Sequence, residues 1–168
     1  GTAGGYSGPS KFSDITVLHN EVYVALDKVR GRLFGYDDQG RNLWIFGGSG
    51  NMSAYFRNAA SIEHSGYDLL VLDSLEASVT IFEPTEYGRM IYLSTEQYQR
   101  GEYAQSADSW QRVLRLNGNF ELAYIGIGRA LLREGNYEQA MRYFKLANDE
   151  VNYSKAFQEQ RKIWVEEN

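Results

Sequence analysis

Cysteine is absent from this chain of 168 residues. That excludes disulfide frameworks, thiolate zinc sites and cysteine nucleophiles. It leaves the compartment open, because a disulfide-free chain suits either side of a membrane. Histidine is scarce, with two copies, His19 and His64. No apolar run reaches the length that spans a bilayer, so these residues are expected to make no membrane contact. No secretory leader pattern opens the chain. Gly1 stands where a Met would, and the first ten residues are rich in Gly and Ser. Residues 1–11 therefore read as a flexible lead-in that begins with a cloning remnant, and the chain as a piece of something longer. A positive excess is missing too. The net charge of −5 argues against a general nucleic-acid binder. What remains is the charged and apolar balance of a globular protein. The 13 tyrosines suit repeat and sheet surfaces equally.

The first half is patterned for short strands. Ile15 to Leu18, Val22 to Leu26, Arg32 to Tyr36 and Leu43 to Phe46 are β-rich runs. Asn20-Glu21 and Asp37-Asp38-Gln39-Gly40 are turn signals between them. Four such runs make one antiparallel meander. The pattern then recurs: Phe56 to Ile62 echoes Phe12 to Val17, Asp68 to Asp73 echoes the run ending at Asp27, and Ser78 to Glu83 echoes Arg32 to Asp37. A unit of about 40–50 residues with four strands is the size of a propeller blade. Val24, Asp27, Arg32, Leu33, Phe34, Tyr36, Asp37, Asp38 and Gly40 carry a pattern that resembles the NHL repeat family. The second copy ends at Pro84 without a fourth run, so it is read as incomplete. Two units cannot close a propeller, and open sheet edges invite pairing with another chain. Two expectations follow: self-association through β edges, or reliance on further blades of a longer protein.

The second half is patterned for helices. Pro84-Thr85-Glu86 is a helix start with Thr85 as cap. Met90, Leu93, Gln97 and Tyr98 follow at helical spacing, then Ser106, Trp110, Val113 and Leu114. Asn119 is placed to cap a helix holding Tyr124, Ile127, Gly128 and Leu131. Tyr137, Ala140, Phe144 and Ala147 line its partner. Gly101-Glu102-Tyr103 is echoed 34 residues on by Gly135-Asn136-Tyr137. That period and those residues resemble the tetratricopeptide repeat, a helix–turn–helix unit. Small Gly128 and Ala140 let two helices approach closely, while Tyr137 and Phe144 fill the space between pairs. The first copy carries Ser94 and Ser106 where the family has Gly and Ala. Residues 153–167 read as a capping helix with Ala156, Phe157, Gln160 and Trp164 on one side. The alternative is the start of another repeat.

The chemistry-bearing residues are few. His19 and His64 are read as exposed turn residues, without the acidic companions a metal site needs. Asp27, Asp37, Asp38 and Asp73 could be metal ligands in a propeller hydrolase. Their positions at strand ends favour turn capping instead. Gly47-Gly48-Ser49-Gly50 lacks the Lys-Ser/Thr of a phosphate loop and reads as an inter-blade linker. Trp110, Phe144 and Trp164 read as core. Arg129 and Arg133 lie four apart, away from the Tyr124/Ile127/Leu131 stripe. In the resembled family that side is the inner groove, where two guanidinium groups suit a peptide carboxylate. Leu122 and Ile125 are the apolar candidates beside them. The competing reading is a solvated face paired with Glu134 or Glu138.

The expected fold is α+β in β-then-α order. Residues 12–84 would form two propeller-blade-like antiparallel β meanders, the second incomplete. Residues 85–168 would form a tetratricopeptide helical-hairpin array, with repeats at about 87–120 and 121–154 and a C-terminal capping helix. The resemblance as a whole is to bacterial propeller–tetratricopeptide proteins, some with a Yip1-type membrane domain. It implies a non-enzymatic protein–protein interaction scaffold with no cofactor or metal and a peptide or protein partner. It also allows membrane anchoring of a full-length protein. The alternative is a fragment of a propeller hydrolase or lactonase whose active site lies in other blades.

Overall fold

The structure is a computed structural model that describes residues 8–49 and 55–167. Residues 1–7 of the expected lead-in, and Gly50 of the glycine-rich run, fall outside them. Among the described residues the fold is mixed α+β: eight strands in two sheets, followed by five helices. Packing divides the chain into two units, Gly1–Pro84 and Thr85–Asn168.

In the first unit, β1 (Phe12–Val17), β2 (Tyr23–Asp27), β3 (Arg32–Tyr36) and β4 (Asn42–Ser49) pair antiparallel in chain order. β5 (Tyr55–Phe56) joins β4 in parallel. A second antiparallel sheet holds β6 (Ala59–Ser65), β7 (Asp68–Asp73) and β8 (Ser78–Phe82). Two expectations need correction. Gly47, Gly48 and Ser49 belong to β4 and are not a linker. A Cβ on Gly48 would lie 2.5 Å from the Tyr55 ring, so glycine is what lets β5 lie against the strand. Phe56 to Ile62 is not one strand either. It breaks at Arg57-Asn58, whose backbone N–H groups turn to the Asp73 carboxylate at 2.7 and 3.2 Å.

Asp27 and Asp73 end equivalent strands and do equivalent work. Asp27 Oδ1 accepts the N–H groups of Val29 and Arg30, and Oδ2 accepts the Arg30 guanidinium at 2.8 Å. Asp73 Oδ1 accepts those of Leu75 and Glu76. Burial pushes the Asp27 carboxyl up, but Arg30 and the N–H of Lys11 outweigh it and hold it below the usual range. Burial likewise opposes Asp73, and the N–H groups of Glu76, Asn58, Arg57 and Leu75 hold it down. Each carboxylate thus ties its β-hairpin turn to the approach of the preceding strand, because a buried charge is tolerated only when hydrogen-bonded.

Side chains alternate between the two faces of each sheet. Val24, Leu26 and Leu33 share one face of the first sheet and are all 0% exposed. The second sheet packs on the first through β6 against β1 and β2, and Ile62, Leu69 and Val71 are among its buried residues. Phe46 and Phe82 meet across this layer at 5.2 Å between ring centroids. At its edge, Ile62 N–H donates to Asp14 at 2.8 Å.

The second unit comprises α1 (Glu86–Gln99), α2 (Tyr103–Leu116), α3 (Glu121–Arg133), α4 (Tyr137–Leu146) and α5 (Glu150–Glu167). Short loops make successive helices packed neighbours. Thr85 caps α1, its hydroxyl accepting Gly88 N–H at 3.2 Å. Gly101 and Gly135 turn the chain at φ +78° and +81°, a conformation that favours glycine. On α3 the glycines serve packing. Gly126 lies against the Trp110 ring of α2, and Gly128 against the Phe144 ring of α4. Two residues are about 200° apart on a helix, so each glycine opens a seat for a different neighbour.

Three helical expectations are corrected. Leu93 is 43% exposed, and α1 buries Ile91, Tyr92 and Ser94 instead. Asn119 does not cap α3: it donates its N–H to Asn117 Oδ1, and Phe120 takes the cap position with no side-chain bond. On α5 only Ala156 of the expected side is fully buried. Phe157 is 50% and Trp164 66% exposed, because α5 packs chiefly on α4 and one neighbour covers only a narrow stripe.

Candidate binding groove

Arg129 and Arg133 project from the last turns of α3, four residues apart and therefore on one face. Both reach Tyr98 in the last turn of α1. Arg129 Cζ sits 4.4 Å from the centre of the Tyr98 ring. Arg133 donates Nε–H to the Tyr98 hydroxyl at 3.2 Å. Tyr103, at the start of α2, meets Tyr98 edge-on at 5.3 Å. The cluster therefore joins the ends of α1 and α3 and the beginning of α2. The Tyr98 hydrogen bond, and the charge attraction behind it, push the Arg133 guanidinium further up from its already high range. Both arginines are thus permanent cations. Arg129 is half-buried and Arg133 exposed. Tyr98 takes one of the five N–H donors that Arg133 owns.

Leu122 and Ile125 continue the same stripe toward the start of α3. Leu122 is half-buried, but Ile125 is 6% exposed and offers little surface to a partner. Of the two expected acidic neighbours, Glu138 takes another partner. Glu138 pairs with Arg142 on its own helix, and Arg133 turns to Tyr98. In the sequence Tyr98 stands out only as part of the helical spacing of α1. Its separation from Arg133, 35 residues, is one more than the repeat period. That near-coincidence is the signal that would have placed both at the same end of successive hairpins.

The remaining candidates serve the β unit. His64 is not an exposed corner: it lies within β6, half-buried, with Nδ1 2.7 Å from the Thr16 hydroxyl. That hydroxyl donates to Glu63 at 3.0 Å, so it accepts from His64. The bonds of Thr16 and His64 to Glu63 hold its carboxyl below the usual range, the backbone N–H of His64 foremost. His19 lies against Tyr67, with ring centroids 4.5 Å apart and ring planes tilted by 33°. Asp37 Oδ1 accepts the N–H groups of Gln39 and Arg41, closing the β3–β4 turn. Trp110 and Phe144 are core at 4% and 0% exposure; Trp164 is not. Among the described residues, no group of three or more His, Asp or Glu is placed to hold a metal ion. Among them, too, no helix is long and apolar enough to cross a membrane. No protein-family model matches the chain, and no curated protein matches it.

Proposed function

We propose that the chain is a non-enzymatic interaction scaffold. Its helical unit is read as a tetratricopeptide-type array and its sheets as NHL-like blades, the β unit supplying a second docking surface. The observation that carries the reading is the convergence of Arg129 and Arg133 on Tyr98. Two guanidinium groups, fixed by one tyrosine between successive hairpins, form a preorganised cationic seat. The ligand class that suits it is the carboxylate of a peptide, with Leu122 as apolar floor. The small residues Gly126, Gly128 and Ala140 support the array reading, since they let neighbouring helices nest. Asp27 and Asp73 spend their oxygens on backbone N–H groups and Arg30, which disfavours a hydrolase role for them.

The test is chemical-shift mapping with a panel of short peptides bearing free C-terminal carboxylates. Shifts concentrated on Tyr98, Leu122, Arg129 and Arg133 support the groove. Shifts scattered elsewhere, or none at millimolar peptide, overturn it.

A further inference from the structure

The two stacked sheets present a repeated interface of which one half is used. Each sheet has two faces. The first sheet buries Val24, Leu26 and Leu33, and the second sheet packs on it. The second sheet carries Leu70, Leu72, Val79 and Ile81 at the corresponding positions, since Leu26 and Leu72 each precede the turn aspartate, and Leu33 and Val79 each pair with them. Here the face is open: Leu72, Val79 and Ile81 are 40%, 55% and 60% exposed. The opposite face is left open on the first sheet. Ile15, Val17 and Ile45 are 57%, 54% and 54% exposed beside Phe34. Yet Ile62, paired with Val71 as Ile15 is with Ala25, is 5% exposed against the first sheet. The protein therefore exposes both complementary halves of a contact that it also makes internally.

We infer that a second copy of this chain fills the open face. The second sheet of one copy would seat its Leu72, Val79 and Ile81 against Ile15, Val17 and Ile45 of the next, head to tail. The hydrophobic side chains named on both open faces are exposed. The faces also carry charges of opposite sign, Glu63 opposite Leu70 on one and Arg32 two residues before Phe34 on the other, which can pair rather than repel. Apolar faces of this kind mark association sites. The symmetry follows from geometry: the two faces differ, so the contact is heterologous and grows by repetition into a ring or a filament. This goes beyond the helical groove and does not depend on it.

The test is sedimentation of the whole chain over a concentration series, with two surface variants. Val79→Lys/Ile81→Lys charges one open face and Ile15→Lys/Val17→Lys the other. All four positions are more than half exposed, and circular dichroism checks that each variant folds. The wild-type chain should show mass rising with concentration. Each variant alone should stay monomeric. Mixed, they should give a species of twice the monomer mass and no larger, because one intact pair of faces remains. A strictly monomeric wild-type chain, variants that still associate alone, or a mixture that stays monomeric would each overturn the inference. Peptide binding in the helical unit is measured separately, so its failure would not be mistaken for this one.

Discussion

Gly128 of α3 leaves the space that the Phe144 ring of α4 occupies: a Cβ there would lie 2.6 Å from the ring. Gly128→Ala is expected to destabilise the helical unit. Overpacking costs about 1–3 kcal/mol, set against about 1 kcal/mol gained from better helix propensity. Gly126→Ala should behave alike, through Trp110. Gly118→Ala is the control, since its added Cβ would come no nearer than 3.7 Å to Leu114 O. It should shift stability by less than about 0.5 kcal/mol. Chemical denaturation of the three variants ranks them; a harmless Gly128→Ala would mean that the helices can separate freely.

Asp27 and Asp73 make the β unit acid-sensitive. Both carboxyls are held below their usual range in the fold. The stability they contribute is complete above about pH 4. It is lost as pH falls through the lower folded values. Asp73→Asn should cost about 1.5–3 kcal/mol at neutral pH, as charge-assisted hydrogen bonds are lost. It should also flatten the decline on the acid side. Unfolding midpoints taken between neutral and acid pH check this; an unchanged slope would mean that other groups carry the acid sensitivity.

Ser106 donates its hydroxyl to the backbone carbonyl of Ser94 at 2.8 Å, and both residues are 0% exposed. Ser106→Ala should lower stability by about 0.5–1.5 kcal/mol, the net worth of one hydrogen bond. Thermal melting measures it, and no change would assign the α1–α2 contact to packing alone.

Of the three tryptophans, Trp164 is 66% exposed, Trp110 4% and Trp44 half-buried. Iodide should therefore quench the wild-type fluorescence partly, and Trp164→Phe should remove the largest share of the quenchable part, leaving a smaller one from Trp44. Unchanged quenching would place Trp164 under cover.

The β-then-α order was legible because period-2 runs with turn residues give way at Pro84 to helical spacing. Gly128 was legible as a packing glycine from its place in the helical stripe with Tyr124, Ile127 and Leu131. Gly126 was not, because nothing in a pattern reveals which ring lies opposite. Leu93 and Trp164 were misplaced for one reason: helical spacing locates a stripe, while the neighbouring helices decide which stripe is covered. Arg129 and Arg133 were legible as a pair. Their tyrosine was not, because Tyr98 reaches them from another hairpin and only tertiary packing brings it there.

The account turns on whether the Tyr98–Arg129–Arg133 cluster recognises a carboxylate. The direct measurement is calorimetric affinity for one peptide in two forms, with a free C-terminus and amidated, on wild-type chain and on Arg129→Ala/Arg133→Ala. The free acid should bind at least about tenfold more tightly, as expected for a charge-assisted contact of about 1.4 kcal/mol or more. The variant should lose that preference while keeping its helical circular dichroism. Equal affinity for both forms, or a preference that survives the double substitution, would contradict the account.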